Sequence, residues 1–314
     1  MNIDFSSKYF LRDEVGGYMT TLGDEDSKVV VVNADLMRTC RNRSFAEKYP
    51  ERTFNVGIAE QDMVSFAAGL AHEGFKSYAF TMAPFMSMRA CEQVRTDVAY
   101  ADLDVTLIGA YAGVSGGISG ATHWGLEDVG IMTSFPNMTV MEPCDPVEAH
   151  KMMEASLSYS GPIYIRTSVE PTIPIYDENF DFQIGKASEI LSGNDGTFIV
   201  SGITVKYALQ AAMHIKETTG NEIRVIDMHT IKPIDSEAVI NAAKTGHVVV
   251  AQDHNIHGGL GNAVSEVIVE EGIATKFRNI GYPDEFVAMA HAPYLYHKFG
   301  YDAEGLECAM LSLF

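Results

Sequence analysis

One carboxylate in the chain has a setting suited to chemistry. Glu60 sits in the string Thr53-Phe-Asn-Val-Gly-Ile-Ala-Glu-Gln-Asp-Met63. Phe54 and Val56 alternate as in a strand, Gly57 offers a turn, and Ile58 to His72 carry small and apolar residues at helical spacing. Glu60 is therefore expected in the first turn of a helix, where the positive end of the helix dipole favours a carboxylate. A lone glutamate there needs no further role. A second region is the glycine-rich loop Ala112-Gly-Val-Ser-Gly-Gly-Ile-Ser-Gly120, which leads into Ala121-Thr-His-Trp-Gly125. Glycines let backbone approach a ligand closely, although a mobile loop has the same composition.

The elements that must position these groups alternate strand and helix. A helix is expected over residues 13–25, then a β-branched run over 28–34, KVVVVNA, of the kind buried on both faces of a parallel sheet. Asp35 and Leu36 follow at its carboxyl end. Past the Glu60 segment come a strand at 77–80, a helix over 86–101, a buried strand at 104–110, and short strands at 139–141 and 162–166 around a helix over 146–159. This alternation predicts a doubly wound α/β layer, whose ligands sit beyond the carboxyl ends of its strands.

The stretch 169–181, with Pro171 and Pro174 and little periodicity, reads as a linker. Beyond it a second series follows, with strands at 197–201, 222–227 and 247–251 and helices at 205–218, 236–244 and 261–271. The chain thus reads as α/β, with two doubly wound domains over residues 1–175 and 176–314. Gly193-Asn-Asp-Gly196, between two predicted strands, reads as a hairpin turn.

Composition narrows the function. With 314 residues and 46% hydrophobic content, the chain can build real cores. A formal net charge of −20 argues against nucleic-acid or anionic-membrane binding, and the cluster Arg38, Arg41, Arg43 is too small to reverse it. No apolar run is long enough to span a bilayer, and the start, MNIDFSSKYF, lacks the pattern of a signal peptide, so the cytoplasm is the expected location. The four cysteines, Cys40, Cys91, Cys144 and Cys308, are widely spaced without C-x-x-C, which suggests neither a zinc site nor a disulfide framework. They are expected reduced and mostly buried.

The string Val56-Gly-Ile-Ala-Glu-Gln-Asp-Met63 resembles the glutamate motif of the pyrimidine-binding domain in the transketolase-like thiamine diphosphate enzymes. That group includes transketolase, 1-deoxyxylulose-5-phosphate synthase and the β subunits of 2-oxoacid dehydrogenases. MHTIKPID (228–235), HGGLGNAVSEVI (257–268) and PDEFVAMA (283–290) match the C-terminal domain of transketolases in order, so the resemblance covers nearly the whole chain. It implies thiamine diphosphate as cofactor, with Glu60 as the catalytic glutamate that hydrogen-bonds N1′ of its aminopyrimidine. A largely buried glutamate suits that task because, away from water, it can share a proton with a ring nitrogen.

The resemblance assigns further residues. Arg12, in F-L-R-D-E, and Arg166, in I-Y-I-R-T-S, occupy places of arginines that contact the substrate phosphate, and Thr39 falls where the family has a phosphate-binding serine. A guanidinium offers phosphate a planar fork, although a surface ion pair is the plain alternative for each arginine. His123, in A-T-H-W, matches a histidine near the reacting sugar, where it can hydrogen-bond a hydroxyl or move a proton. Phe85 is the candidate aromatic against the pyrimidine, with a core role open, and Asp35 matches an acidic residue near the cofactor. Two positions depart from sugar-phosphate transketolases: Ser119 replaces an aspartate and Tyr111 a histidine. Such changes alter which substrate groups find partners, so the donor is expected to be an anionic ketose other than xylulose 5-phosphate, such as a phosphorylated branched or deoxy ketose, or a sulfonated one.

The family's diphosphate site, a G-D-G string followed at a distance by asparagine, has no counterpart here. The chain therefore resembles the second half of a split transketolase. It is expected to need an N-terminal, diphosphate-binding partner subunit that holds most of the Mg2+ site, in an α2β2 heterotetramer inactive without that partner. A β subunit of a 2-oxoacid dehydrogenase, half of a deoxyxylulose phosphate synthase, and a non-catalytic assembly subunit are the alternatives. The roles of Arg38, Arg41 and Arg43 stay open.

Overall fold

The computed structural model describes residues 3–314. Its strands are β1 (Val29–Asn33), β2 (Thr53–Asn55), β3 (Lys76–Met82), β4 (Val105–Ala110), β5 (Thr139–Met141) and β6 (Ile163–Thr167), then β7 (Ser188–Leu191), β8 (Gly196–Val200), β9 (Ile223–Asp227), β10 (Thr230–Lys232), β11 (His247–Asn255) and β12 (Lys276–Tyr282). They form two sheets, in the orders β10-β5-β6-β4-β3-β1-β2 and β12-β11-β8-β9-β7. The first is parallel except where β10 runs antiparallel to β5. The second is parallel except for β7 beside β9. Both sheets are α/β layers of the kind the alternation predicts.

Burial on both faces explains the apolar runs. Val29 and Val31 of β1, Tyr78 and Phe80 of β3 and Ile108 of β4 face the helices Leu11–Glu25 and Pro146–Ser158. Their neighbours Val32, Ala79 and Leu107 face the helix Glu60–His72 and the segment 85–99. That second layer continues into Ile199, Ile226, Val248 and Val250 of the other sheet, so one apolar core joins the two halves. Among the described residues no helix is long and apolar enough to cross a membrane. All four cysteines are free; Cys40 and Cys144 are buried, Cys91 is half-buried and Cys308 is exposed.

Several features differ from the sequence expectations. Gly193–Gly196 is not a hairpin turn, because β9 lies between β7 and β8 in the sheet. Strands β10 and β12 and the helices Ala292–Phe299 and Ala303–Leu311 have no counterpart among the elements expected from the sequence. The helix expected over 86–101 opens three residues earlier, at Ala83, and winds widely: the Ala90 N–H donates to the Phe85 carbonyl at 3.2 Å and the Tyr100 N–H to that of Arg95 at 2.9 Å, each spanning five residues. Wide turns of this kind recur at functional sites.

Candidate active site

Glu60 is placed by the chain around Asn55. The Asn55 side-chain oxygen accepts the N–H of Asp35 at 3.0 Å and that of Gly57 at 3.1 Å, tying the end of β1 to the turn after β2. Gly57 has φ +80, and a Cβ there would meet nothing within 4 Å, so the backbone angle rather than crowding calls for glycine. The helix then begins at Glu60 itself, and Met63, Val64 and Ala67 seat it in the core. Glu60 is left 1% exposed, and both its carboxylate oxygens accept from Arg89 Nη1 at 2.7 Å.

Above the carboxylate opens a cavity of ≈ 420 Å³ whose walls include Asp35, Ile58, Phe85, Arg89 and His123. It lies where β1 and β3 end, the ligand-binding end of such sheets. The Arg89 guanidinium carbon is 4.1 Å from the centroid of the Phe85 ring. His123 and Phe85 pack edge to face, with centroids 5.4 Å apart and planes at 66°. Thr122 Oγ1 lies 2.8 Å from His123 Nδ1 and orients the imidazole.

The glycine loop that carries His123 is anchored rather than free. Gly113 has φ +60, and a Cβ there would fall 1.9 Å from Asp253 Cγ. Asp253 accepts the Val114 N–H at 2.9 Å and the hydroxyls of Tyr296 at 3.0 Å and Tyr301 at 3.2 Å. Burial pushes this carboxyl up to about 7, against the Val114 N–H and Arg166, which pull it down. Farther along, Trp124 Nε1 donates to the Gly117 carbonyl at 2.9 Å. Ser119 is exposed in the tight turn Gly117–Ser119.

The structure gathers Asp35, Glu60, Phe85 and His123 around one cavity. Arg12 and Tyr111 sit beside each other, the Arg12 guanidinium carbon 5.7 Å from the Tyr111 ring centroid. Arg12 Nε and Arg41 Nε approach the same Asp13 oxygen, at 3.3 and 3.0 Å. Thr39 is half-buried in the loop where the Cys40 N–H returns to the Leu36 carbonyl at 2.8 Å. Arg43 pairs with Glu47 at 2.9 Å on an exposed helix face.

Arg166 requires a correction. Its side chain is 0% exposed and lies at the junction of the two halves. Nε and Nη2 donate to Asp128 at 2.8 and 3.1 Å, Nη1 donates to Glu142 at 2.9 Å, and Nη2 also meets the carbonyls of Gly125 at 2.9 Å and Asp253 at 3.1 Å. With all three nitrogens bonded within the protein and its side chain without exposure, it is not available to a substrate phosphate. Nearby, Cys144, Glu148 and Asp227 form a buried cluster; Asp227 Oδ2 accepts from Cys144 Sγ at 3.1 Å and the Tyr176 hydroxyl at 2.9 Å. Burial pushes both of its carboxyls above the usual range, and none of the three lines the Glu60 cavity. The residue at this cavity that the sequence did not single out is Arg89. Its spacing of four from Phe85 on a helical segment is the available signal.

Residues 8–172 match the family described as "Transketolase, pyrimidine binding domain", and residues 185–306 match "Transketolase, C-terminal domain". The chain is 38% identical over 310 residues to the 6-deoxy-6-sulfo-D-fructose transketolase subunit SqwH of Clostridium sp. (strain MSTE9), a match covering 97% of this chain and 95% of that one. It is 36% identical over 287 residues to one of the subunits of an apulose-4-phosphate transketolase from Phocaeicola vulgatus, covering 91% of each. Among solved structures it is similar to one described as "Split gene transketolase, inactive beta4 tetramer", with a TM-score of 0.87, 33% identity and 98% of both chains covered.

Proposed function

The chain belongs to the transketolase family, and on that premise we propose that it is the pyrimidine-binding and C-terminal subunit of a two-chain, thiamine diphosphate-dependent transketolase. The reaction is transfer of a two-carbon ketol group from a ketose phosphate to an aldose phosphate. The observation that carries this reading is Glu60, a buried carboxylate at a helix start, opening into a cavity walled by Phe85 and His123.

These residues suit the cofactor. The planar guanidinium of Arg89 lies over Phe85 and bonds to Glu60, so the slot accepts a flat, nitrogen-bearing group. When bound, thiamine diphosphate supplies the carbanion-stabilising centre that allows a carbon–carbon bond to break. Glu60 hydrogen-bonds the aminopyrimidine ring nitrogen and holds the shared proton there. Phe85 offers the ring an aromatic face, and Asp35 stands at the cavity wall. His123, oriented by Thr122, hydrogen-bonds a hydroxyl of the sugar, and Arg12 with Thr39 holds the substrate's anionic end. Tyr111, packed on Arg12, and Ser119 tune which donor fits.

The diphosphate and Mg2+ are assigned to an N-terminal partner subunit in an α2β2 assembly located in the cytoplasm, with this chain divided at 175/176. In support, the split-gene relative is described as an inactive β tetramer. The names of the other two relatives, for 6-deoxy-6-sulfo-D-fructose and apulose-4-phosphate, support an anionic donor other than xylulose 5-phosphate. The test is ketol transfer from a panel of ketose phosphates and sulfonates, with thiamine diphosphate and Mg2+, by this chain alone and mixed with its diphosphate-binding partner. Activity only in the mixture is expected. A clear preference for xylulose 5-phosphate would sink the donor assignment, and no transfer by the mixture would sink the transketolase reading.

A further inference from the structure

Any ligand that takes the Glu60 carboxylate meets a competitor inside the chain. Arg89 Nη1 bonds both carboxylate oxygens at 2.7 Å while its guanidinium carbon lies 4.1 Å from the Phe85 ring centroid. Hydrogen bonds to a buried carboxylate and contact with an aromatic face are what a flat nitrogen heterocycle would make with the same two residues. We propose that Arg89 is the resident occupant of the aminopyrimidine slot, and that the cofactor binds by displacing its guanidinium from Glu60 and Phe85. This rests on the cofactor reading above and deepens it by assigning a residue that sets cofactor affinity.

The surroundings allow the exchange. The Arg89 side chain is 46% exposed and can leave toward solvent, whereas Glu60 at 1% cannot follow it. The backbone beneath need not move: Met86 and Ala90 are buried, and Ser87 Oγ is fixed to the Ala83 carbonyl at 2.8 Å. The wide turn over Phe85–Arg89 brings the two side chains to the same wall of the cavity. Of the residues lining that cavity, Arg89 alone carries a guanidinium or ammonium group. Because a guanidinium cannot give up its proton, Glu60 cannot share a proton with a ring nitrogen while Arg89 holds it. Displacement therefore has to precede the task assigned to Glu60.

The test is calorimetric titration of thiamine diphosphate with Mg2+ into the mixture of this chain and its diphosphate-binding partner. Wild type is compared with Arg89→Met, which keeps the stem and removes the fork, and with Arg89→Lys, which keeps the charge. Arg89→Met is expected to bind roughly tenfold tighter and Arg89→Lys to fall between, because an intramolecular charge-assisted bond no longer has to break. In a Glu60→Gln background the gain from Arg89→Met should shrink toward none, since the guanidinium has lost its carboxylate. Unchanged or weaker binding by Arg89→Met, or an equal gain in the Glu60→Gln background, would overturn the displacement while leaving the cofactor reading intact. Binding by neither wild type nor variants would overturn the cofactor reading, and the displacement with it.

Discussion

Arg166 and Arg89 each hold carboxylates, in two regions whose surroundings differ. Arg166 sits at the junction of the sheets without exposure, joined to Asp128, Glu142 and two backbone carbonyls. Glu142 in turn accepts from Ser201 and Gln252 of the second half, each at 2.8 Å. Arg89 reaches a single carboxylate through one nitrogen, at a cavity wall, with 46% of its side chain exposed. A buried charge bonded through every nitrogen is fixed, because removing any one partner strands the others away from water. Arg89 can exchange its partner because its side chain reaches solvent and the Glu60 carboxylate opens onto the cavity. Residue type alone separates neither; exposure and the number of bonded nitrogens do.

The largest test of this contrast is Arg166→Met. It leaves Asp128 and Glu142 buried without their cation, and urea unfolding should show a loss of about 3–5 kcal/mol. A loss below about 1 kcal/mol would remove the distinction between the two sites. The pH dependence of the same junction is next. Asp253, held at about 7 in the fold against an ordinary value of 3.8, binds more proton folded than unfolded between those values. Its contribution to stability is therefore fully present below the unfolded pKa and is lost as pH rises through the folded one. Relative to Asp253→Asn, wild type should lose stability from about pH 4 to about pH 7, with a slope approaching about 1.4 kcal/mol per pH unit, and the difference should level off above. The comparison with the variant matters because His229 and His254, depressed by burial to about 4, act oppositely between there and their ordinary value of 6.5. A smaller loss than for Arg166→Met is expected for Arg89→Met, which strands one buried carboxylate that faces a cavity rather than two sealed at the junction, although its cofactor affinity changes. A loss comparable to that of Arg166→Met would mean that Arg89 too is part of the frame.

Local pattern carries much of this molecule. The all-buried run of β1, the turn at Gly57 and the helix starting at Glu60 follow from residues within a few positions of one another. The same is true of the alternation that gives the two sheets. What escapes the sequence depends on distant partners. Arg166 lies near the end of β6 in a string that is compatible with an anion site, and only the fold brings Asp128, Glu142 and the Asp253 carbonyl to it. The turn at Gly193–Gly196 has hairpin residues, but the later insertion of β9 separates its flanking strands. The anchoring of Gly113 on Asp253, 140 positions away, is equally invisible along the chain.

Glu60 is the residue on which the proposed chemistry turns. The most direct measurement is thiamine diphosphate-dependent ketol transfer by the reconstituted pair of chains, wild type against Glu60→Gln, with unfolding curves as a control for integrity. Glu60→Gln keeps the shape of the side chain but removes its capacity to hold a proton, and the rate should fall by roughly 10²–10⁴-fold with stability nearly unchanged. Transfer at the wild-type rate would contradict the role given to Glu60 and place the chemistry outside this pocket.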